Sequence, residues 1–345
     1  MENTQSSRKK DNSLDLLNIE SLNNLINNSY FKESLYIDNT FTVFKSINDI
    51  LYLIYSNENK SIISNNLIEK KVINEVKNAH DYLISNFIYY LDKINKRDLI
   101  LSISCKNNNI KLWNFNNFEC LLNIENIYNG GFIFSACFLN DNNHIYIITS
   151  NYKIDYFSFE YIKVFNLNGQ KINQIDHSEE NSNYIMAYYD NKTSKNYIIS
   201  ANNGNVKSFD FKENELYNIY NDGTYFNHNS VVINSKEDIV KLIESCNDGN
   251  IRIWNFHSAQ LLNIIHITDK YLIGLCLWNN DYLLVGREDT IITIIDLNKE
   301  FIVKQLTGHN NSVLTIKNII HPQYGKILIS QGCGNDGIKL WLTKN

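Results

Sequence analysis

The sequence predicts an all-β fold assembled from repeated four-stranded units, and three observations predict it. A three-residue signature recurs: a large apolar residue, then Asn or Asp, then Phe or Leu. It appears at Trp113-Asn114-Phe115, Phe165-Asn166-Leu167, Phe209-Asp210-Phe211, Trp254-Asn255-Phe256 and Ile295-Asp296-Leu297, with a variant at Trp341-Leu342-Thr343. Successive first residues lie 52, 44, 45, 41 and 46 positions apart. Between signatures the chain reads as short runs rich in Ile, Val, Tyr and Phe, ended by Asn, Asp or Gly, which is the pattern of strands and turns. A fixed period of about 40–45 residues marks one supersecondary unit that must stack on its neighbours to bury its faces.

Each element follows in chain order. Residues 1–33 precede the repeats. Leu14, Leu17, Leu22 and Leu25 have a loose helical spacing there, so this extension reads as a mobile tail or a short amphipathic helix. Ser34-Leu35-Tyr36-Ile37-Asp38 reads as a short strand. A first unit is expected from Thr42 to Ile47, Ile50 to Tyr55, Ser61 to Ser64 and Val72 to Val76, with Ser64 in the signature's first position. In the later units a fourth strand follows each signature: Glu119 to Ile124, Lys171 to Ile175, Glu215 to Tyr220, Gln260 to His266 and Glu300 to Leu306. Asn203-Gly204, Asp248-Gly249 and Asp336-Gly337 tolerate positive φ and suit the tight turn between second and third strands. Asn151 to Glu160 lengthens the third unit and is expected to extend its hairpin. The final repeat stops four residues after Trp341 and supplies only three strands. A strand at residues 34–38 that completes it would close a ring and remove both open sheet edges. The tally is seven units, or six or eight if the first is misread.

These repeats carry a family resemblance. The last one reads Gly308-His309, then Lys326-Ile327-Leu328-Ile329-Ser330, then Asn335-Asp336-Gly337-Ile338-Lys339-Leu340-Trp341. The fifth reads Ser245, then Asp248-Gly249-Asn250-Ile251-Arg252-Ile253-Trp254. Over residues 34–345 the sequence resembles the WD-repeat β-propeller family. The resemblance implies a seven-bladed propeller with four antiparallel strands per blade. It also implies, in each well-kept blade, a buried tetrad of the third-strand Trp, a second-strand hydroxyl, a turn Asp and the Gly-His histidine. Those roles fall to Trp341, Ser330, Asp336 and His309 in the last blade, and to Trp254, Ser245 and Asp248 in the fifth. Asp336 stands five residues before its Trp where the family has six. Asn107, Asn203 and Asp289 take the Asp position elsewhere.

Composition bounds the function. The 345 residues are 43% hydrophobic and 12% aromatic, ample for a packed core. Asparagine is roughly one residue in six, so a lone Asn carries little positional information. The net charge is −5, and the arginines are Arg8, Arg97, Arg252 and Arg287. No basic stripe results, which argues against nucleic acid except through a complex, and against anionic membrane. Cys105, Cys120, Cys137, Cys246, Cys276 and Cys333 include no Cys-x-x-Cys pair, so neither a metal nor a cofactor is expected. No apolar run reaches bilayer length and the start of the chain is polar, so an intracellular protein, cytoplasmic or nuclear, is expected.

Catalytic motifs are missing: there is no G-x-S-x-G, no H-E-x-x-H and no Gly-rich phosphate loop. Glu179-Glu180 reads as a solvated turn. The WD-repeat resemblance therefore implies a non-catalytic scaffold, one propeller within a larger assembly, docking partner proteins on its top face. The candidate anchors there are Tyr128, Tyr225, Phe226 and Tyr271, with Arg287 on a turn, since aromatics and Arg favour interface centres. The alternatives are an enzyme with a site assembled at the central channel, or a substrate receptor of a ubiquitin ligase. Receptors of that class tend to carry Arg two residues after the Trp-Asp pair, which this sequence lacks. It also lacks the Arg-Arg pair of phosphoinositide-binding propellers.

Overall fold

The computed structural model describes residues 17–21, 40–57, 60–128, 131–153, 161–176, 182–224, 226–235 and 239–343. Seven four-stranded antiparallel sheets follow one another around a ring. Blade one is Phe41–Lys45, Leu51–Ser56, Ile62–Asn66 and Lys71–Val76. Blade two is Asn86–Asp92, Arg97–Ser104, Asn109–Asn114 and Glu119–Ile124. Blade three is Gly131–Asp141, His144–Lys153, Tyr161–Asn166 and Lys171–Asp176, and blade four is Ser182–Asp190, Lys195–Asn202, Val206–Asp210 and Glu215–Tyr220. Blade five is His228–Asn234, Lys241–Cys246, Asn250–Asn255 and Leu261–His266, and blade six is Leu272–Leu277, Tyr282–Arg287, Ile292–Asp296 and Phe301–Leu306. Blade seven takes Val313–His321, Gly325–Gly332 and Ile338–Thr343 from the end of the chain. Among the described residues no helix is long and apolar enough to cross a membrane.

An N-terminal strand does complete blade seven, but it is Leu17–Ser21, paired antiparallel with Ile338–Thr343 so that Leu17 faces Thr343 and Ser21 faces Lys339. The expected strand at 34–38 lies outside the described residues, as do Leu14, Leu22 and Leu25. Leu17 therefore belongs to a strand and not to a helix, and the ring takes in part of the extension at residues 1–33.

The strand patterns follow from position in the blade. Second strands are sandwiched by the neighbouring blades on both faces. Arg97–Ser104 and Gly325–Gly332 are accordingly buried along nearly their whole length, with the apolar runs Leu99-Ile100-Leu101 and Ile327-Leu328-Ile329 at their centres. Fourth strands lie at the rim with one face on the neighbour. Lys71–Val76 and Phe301–Leu306 alternate exposed with half-buried.

Seven apolar clusters form the core, and each lies at a joint between two blades. Trp113 packs with Phe44, Ile54 and Ile62 of blade one. Trp254 packs with Tyr197 and Ile199 of blade four, and Trp341 with Leu284 and Ile294 of blade six. Cluster seven-to-one joins Ile327, Ile329 and Leu340 to Leu51, Leu53 and Tyr55, which seals the circle.

The signature has a mechanical meaning. In six blades the third strand carries a register shift immediately before the signature's first residue, as between Leu112 and Trp113 and between Ile253 and Trp254. The same shift falls between Ser64 and Asn65 in blade one. The residue equivalent to Trp is therefore Asn65, one later than the expected Ser64; the extra residue of the bulge, Ile73, lies on the facing fourth strand. The second signature residue, Asn or Asp, caps the turn to the fourth strand. Asn66 Oδ1 accepts the N–H of Ile68 and Glu69, Asp210 those of Lys212 and Glu213, Asn255 those of His257 and Ser258, and Asp296 those of Asn298 and Lys299. The third residue is apolar and returns its N–H to the start of the second strand, as Phe115 does to the Asp98 carbonyl and Phe256 to that of Val240.

Gly204, Gly249 and Gly337 all have positive φ in the turns where such residues were expected. Gly249 has a second reason to be glycine. A Cβ there would lie 1.6 Å from the Thr268 carbonyl oxygen of the following link.

Candidate functional site

Antiparallel order puts the links between blades and the second-to-third-strand turns on one face of the ring. Beneath that face each blade buries the residues that the tetrad assignment concerns.

Blade seven holds the tetrad complete. Trp341 donates its indole N–H to Ser330 Oγ at 2.7 Å, and Ser330 Oγ lies 2.7 Å from His309 Nε2. His309 Nδ1 meets Asp336 Oδ2 at 2.5 Å. The chain of bonds sets the tautomer: Nδ1 carries the proton toward the carboxylate and Nε2 accepts from the serine. The short 3-10 turn Gly334–Asp336 brings Asp336 to His309 from its position five residues before Trp341. Burial alone would raise the Asp336 carboxyl. Bonds from Lys339, the backbone and His309 together hold it below its ordinary value. Burial lowers His309 in spite of its carboxylate partner.

Blade two carries a shorter version that the sequence reading passed over. Trp113 donates to Ser102 Oγ at 2.8 Å, and His80 Nε2 lies 2.7 Å from the same oxygen. Among the described residues His80 Nδ1 is buried with no hydrogen-bond partner, and so is Asn107 Oδ1, at the position expected to supply the acid. Burial and the Lys111 charge push His80 down to about 3. A signal existed. Ser102 and Ser330 both stand eleven residues before their Trp, and His80 and His309 stand 22 and 21 residues before their serines.

Blade five corrects the assignment of Ser245. Trp254 donates at 2.9 Å to Glu244 Oε1, and His228 Nδ1 meets Glu244 Oε2 at 2.8 Å. Glu244 faces Arg252 across the ladder, as Ser330 faces Lys339, so the glutamate holds the serine's place. Ser245 points the other way and donates to the Ile273 carbonyl. One step along a strand reverses the face. Asp248 is not in the network either. It takes two bonds from the buried Arg252 fork, at 2.6 and 3.2 Å, while Arg252 Nε donates to Asp222 at 2.7 Å. Burial alone would lower the Arg252 guanidinium, but the two carboxylates more than offset it.

The remaining blades diverge further. In blade three the Tyr128 hydroxyl bonds Thr149, at 2.8 Å to its carbonyl and 2.9 Å to its Oγ1, with the Lys163 ammonium 4.4 Å from the ring centre. Tyr128 is thus 5% exposed and fills a histidine-like place beneath the face. In blade four Ser182 and Ser200 bond each other, and Ser200 donates to Asn202, while Asn203 accepts from Asn183. Blade six has Val285 and Ile295 at the hydroxyl and Trp positions. Its Arg287 is also buried, its guanidinium held by Asp289, Thr293 and Thr268. Neither Tyr128 nor Arg287 is a surface anchor. Tyr128 sits on a link and Arg287 ends a strand, and the polar ends of both find partners inside.

Two of the expected anchors do reach solvent. Phe226 is 43% and Tyr271 48% exposed, on the links that flank blade five. Tyr225 lies outside the described residues. The links are pinned. Gly204 N–H donates to the Phe226 carbonyl and Glu288 N–H to that of Tyr271. Arg252 ties Asp222 and Thr224 of the first link to the blade-five turn.

No protein-family model and no curated protein matches the chain. Among the described residues no group of three or more His, Cys, Asp or Glu is placed to hold a metal ion.

Proposed function

We propose that this protein is a divergent WD-repeat propeller that works as a non-catalytic scaffold, docking partner proteins through the face that carries its links. The family reading is supported by the closed network of Trp341, Ser330, His309 and Asp336, at the positions that the resemblance assigns. The docking reading rests on one observation: Phe226 and Tyr271 present their rings to solvent from links whose backbones are fixed by hydrogen bonds. Aromatic anchors held in place lose little freedom when a partner covers them, so more of their burial appears as affinity. On this reading the propeller is one intracellular subunit of a larger assembly.

The test is affinity purification of the full chain beside a Phe226→Ala, Tyr271→Ala double variant. Two anchors worth more than about 1 kcal/mol each should reduce partner recovery at least tenfold, while the unfolding midpoint stays where it was. Undiminished recovery of the same partners would overturn the docking site.

A further inference from the structure

The seven innermost strands leave a channel of about 570 Å³ between them, lined from every blade. That volume suits a small organic ligand. Part of the wall is apolar, with Ile88, Met186, Leu275 and Ile316. Part is polar and neutral, with Asn86, Ser135 and Thr315. Lys317 is the one charged side chain in this lining. Its Nζ donates to Thr42 Oγ1 at 3.2 Å, across the joint between blades seven and one, which fixes the ammonium and leaves two N–H donors over. Gly274 lets blade six close in beside it, for a Cβ there would lie 2.8 Å from the Leu314 carbonyl oxygen.

Nothing in the lining supplies a counter-charge. The acidic protons nearby are held on: burial pushes the Cys137 thiol and the Tyr184 phenol up to about 12, and raises the Cys276 thiol as well. The same burial holds Lys317 below the ordinary lysine value. A half-buried ammonium with no counter-charge beside it is disfavoured in the channel, and an anion that enters offsets that cost.

We infer that the central channel binds a carboxylate carried on a short apolar body, with the Lys317 ammonium as its counter-ion. One carboxylate balances one ammonium. A phosphate dianion would leave excess negative charge among apolar walls, and a neutral ligand would leave the ammonium unpaired. The apolar half of the lining then takes the hydrocarbon. This site is separate from the Phe226 and Tyr271 links and stands or falls without them. The carboxylate has two sources, a free short-chain acid or the terminal carboxylate of a peptide entering the channel.

Calorimetric titration of the full chain at pH 6 tests this, with hexanoate, hexanamide, and a short apolar peptide with a free or an amidated C-terminus. At least one carboxylate should bind saturably at one site, at least tenfold tighter than its amide, and Lys317→Met should lose at least tenfold of that affinity. Binding by the free peptide and not by hexanoate assigns the source to a partner's chain end; the reverse assigns it to a free acid. Equal binding of acid and amide overturns the inference, even if the variant does not fold. So does binding that survives Lys317→Met, or no saturable binding of either carboxylate. The Phe226→Ala, Tyr271→Ala variant should bind as the parent chain does, which separates this outcome from the docking test.

Discussion

Glu244 accepts the indole N–H of Trp254 at 2.9 Å, the task Ser330 performs for Trp341 at 2.7 Å. A carboxylate thus replaces a hydroxyl beneath the link face, wholly buried and satisfied by an indole on one oxygen and His228 on the other. Removing it strands two buried donors, the Trp254 indole N–H and the His228 ring, at about 1–3 kcal/mol each and so about 2–6 kcal/mol together. Glu244→Ala should therefore lower the stability of the ring by that much in urea denaturation. Ser245→Ala loses one bond to the Ile273 carbonyl and should cost about 1 kcal/mol. Equal costs for the two variants would contradict the placement of the glutamate in the network.

Asn65 stands where the other blades put Trp, Phe or Ile. It is fully buried, and among the described residues neither its side-chain nitrogen nor its oxygen has a partner. A buried polar group left unpaired costs about 1–3 kcal/mol. Asn65→Leu restores the apolar character of the joint between blades seven and one, and should raise the stability by a similar amount. A lower denaturation midpoint in the variant would refute the reading.

His80 is held down to about 3 by burial and by Lys111, whereas an unfolded chain protonates histidine near 6.5. Between those values only the unfolded state takes up the proton, so His80 favours unfolding progressively as pH falls below about 6.5 and has no such effect above it. His309 and His321 are also lowered by burial and add to the slope. The carboxylates held below their ordinary values, Asp248 and Asp336 among them, begin to act only in more acid solution. From pH 7 to pH 5 the chain should therefore lose stability, and His80→Gln should lose about 2 kcal/mol less over that span. Parallel pH profiles for the two proteins would refute the assignment.

Much of this fold is legible in the sequence, because the signature is a mechanical device. The bulge, the turn-capping Asn or Asp and the returning N–H call for three residue types in a row, and the bulge recurs in six of the seven blades. Blade one escaped the signature for a chemical reason: Asn65 replaces the large apolar residue, and Asn66 is one asparagine among many. Ser245 was misplaced because a hydroxyl was sought where the chain has a carboxylate, and strand period two makes a one-residue error a change of face. Tyr128 and Arg287 were assigned to the surface from loop position. Where a phenol or a guanidinium finds its partners is a matter of tertiary contact that local sequence does not encode. The closing strand Leu17–Ser21 pairs with residues at the far end of the chain, so no local pattern announces it.

The placement of the cores at the joints has a consequence for how such a chain changes over time. No sheet owns its interior; every blade lends one face to each of two neighbours, and in a ring no blade stands at an end. Damage to one network is therefore confined between two intact partners and never propagates to a free terminus, as it would in an open array that depends on specialised end repeats. The repeats are free to drift independently. Blade six can lose both the hydroxyl and the indole of its network, to Val285 and Ile295, while blade seven keeps all four members, and the circle holds as long as each joint stays packed.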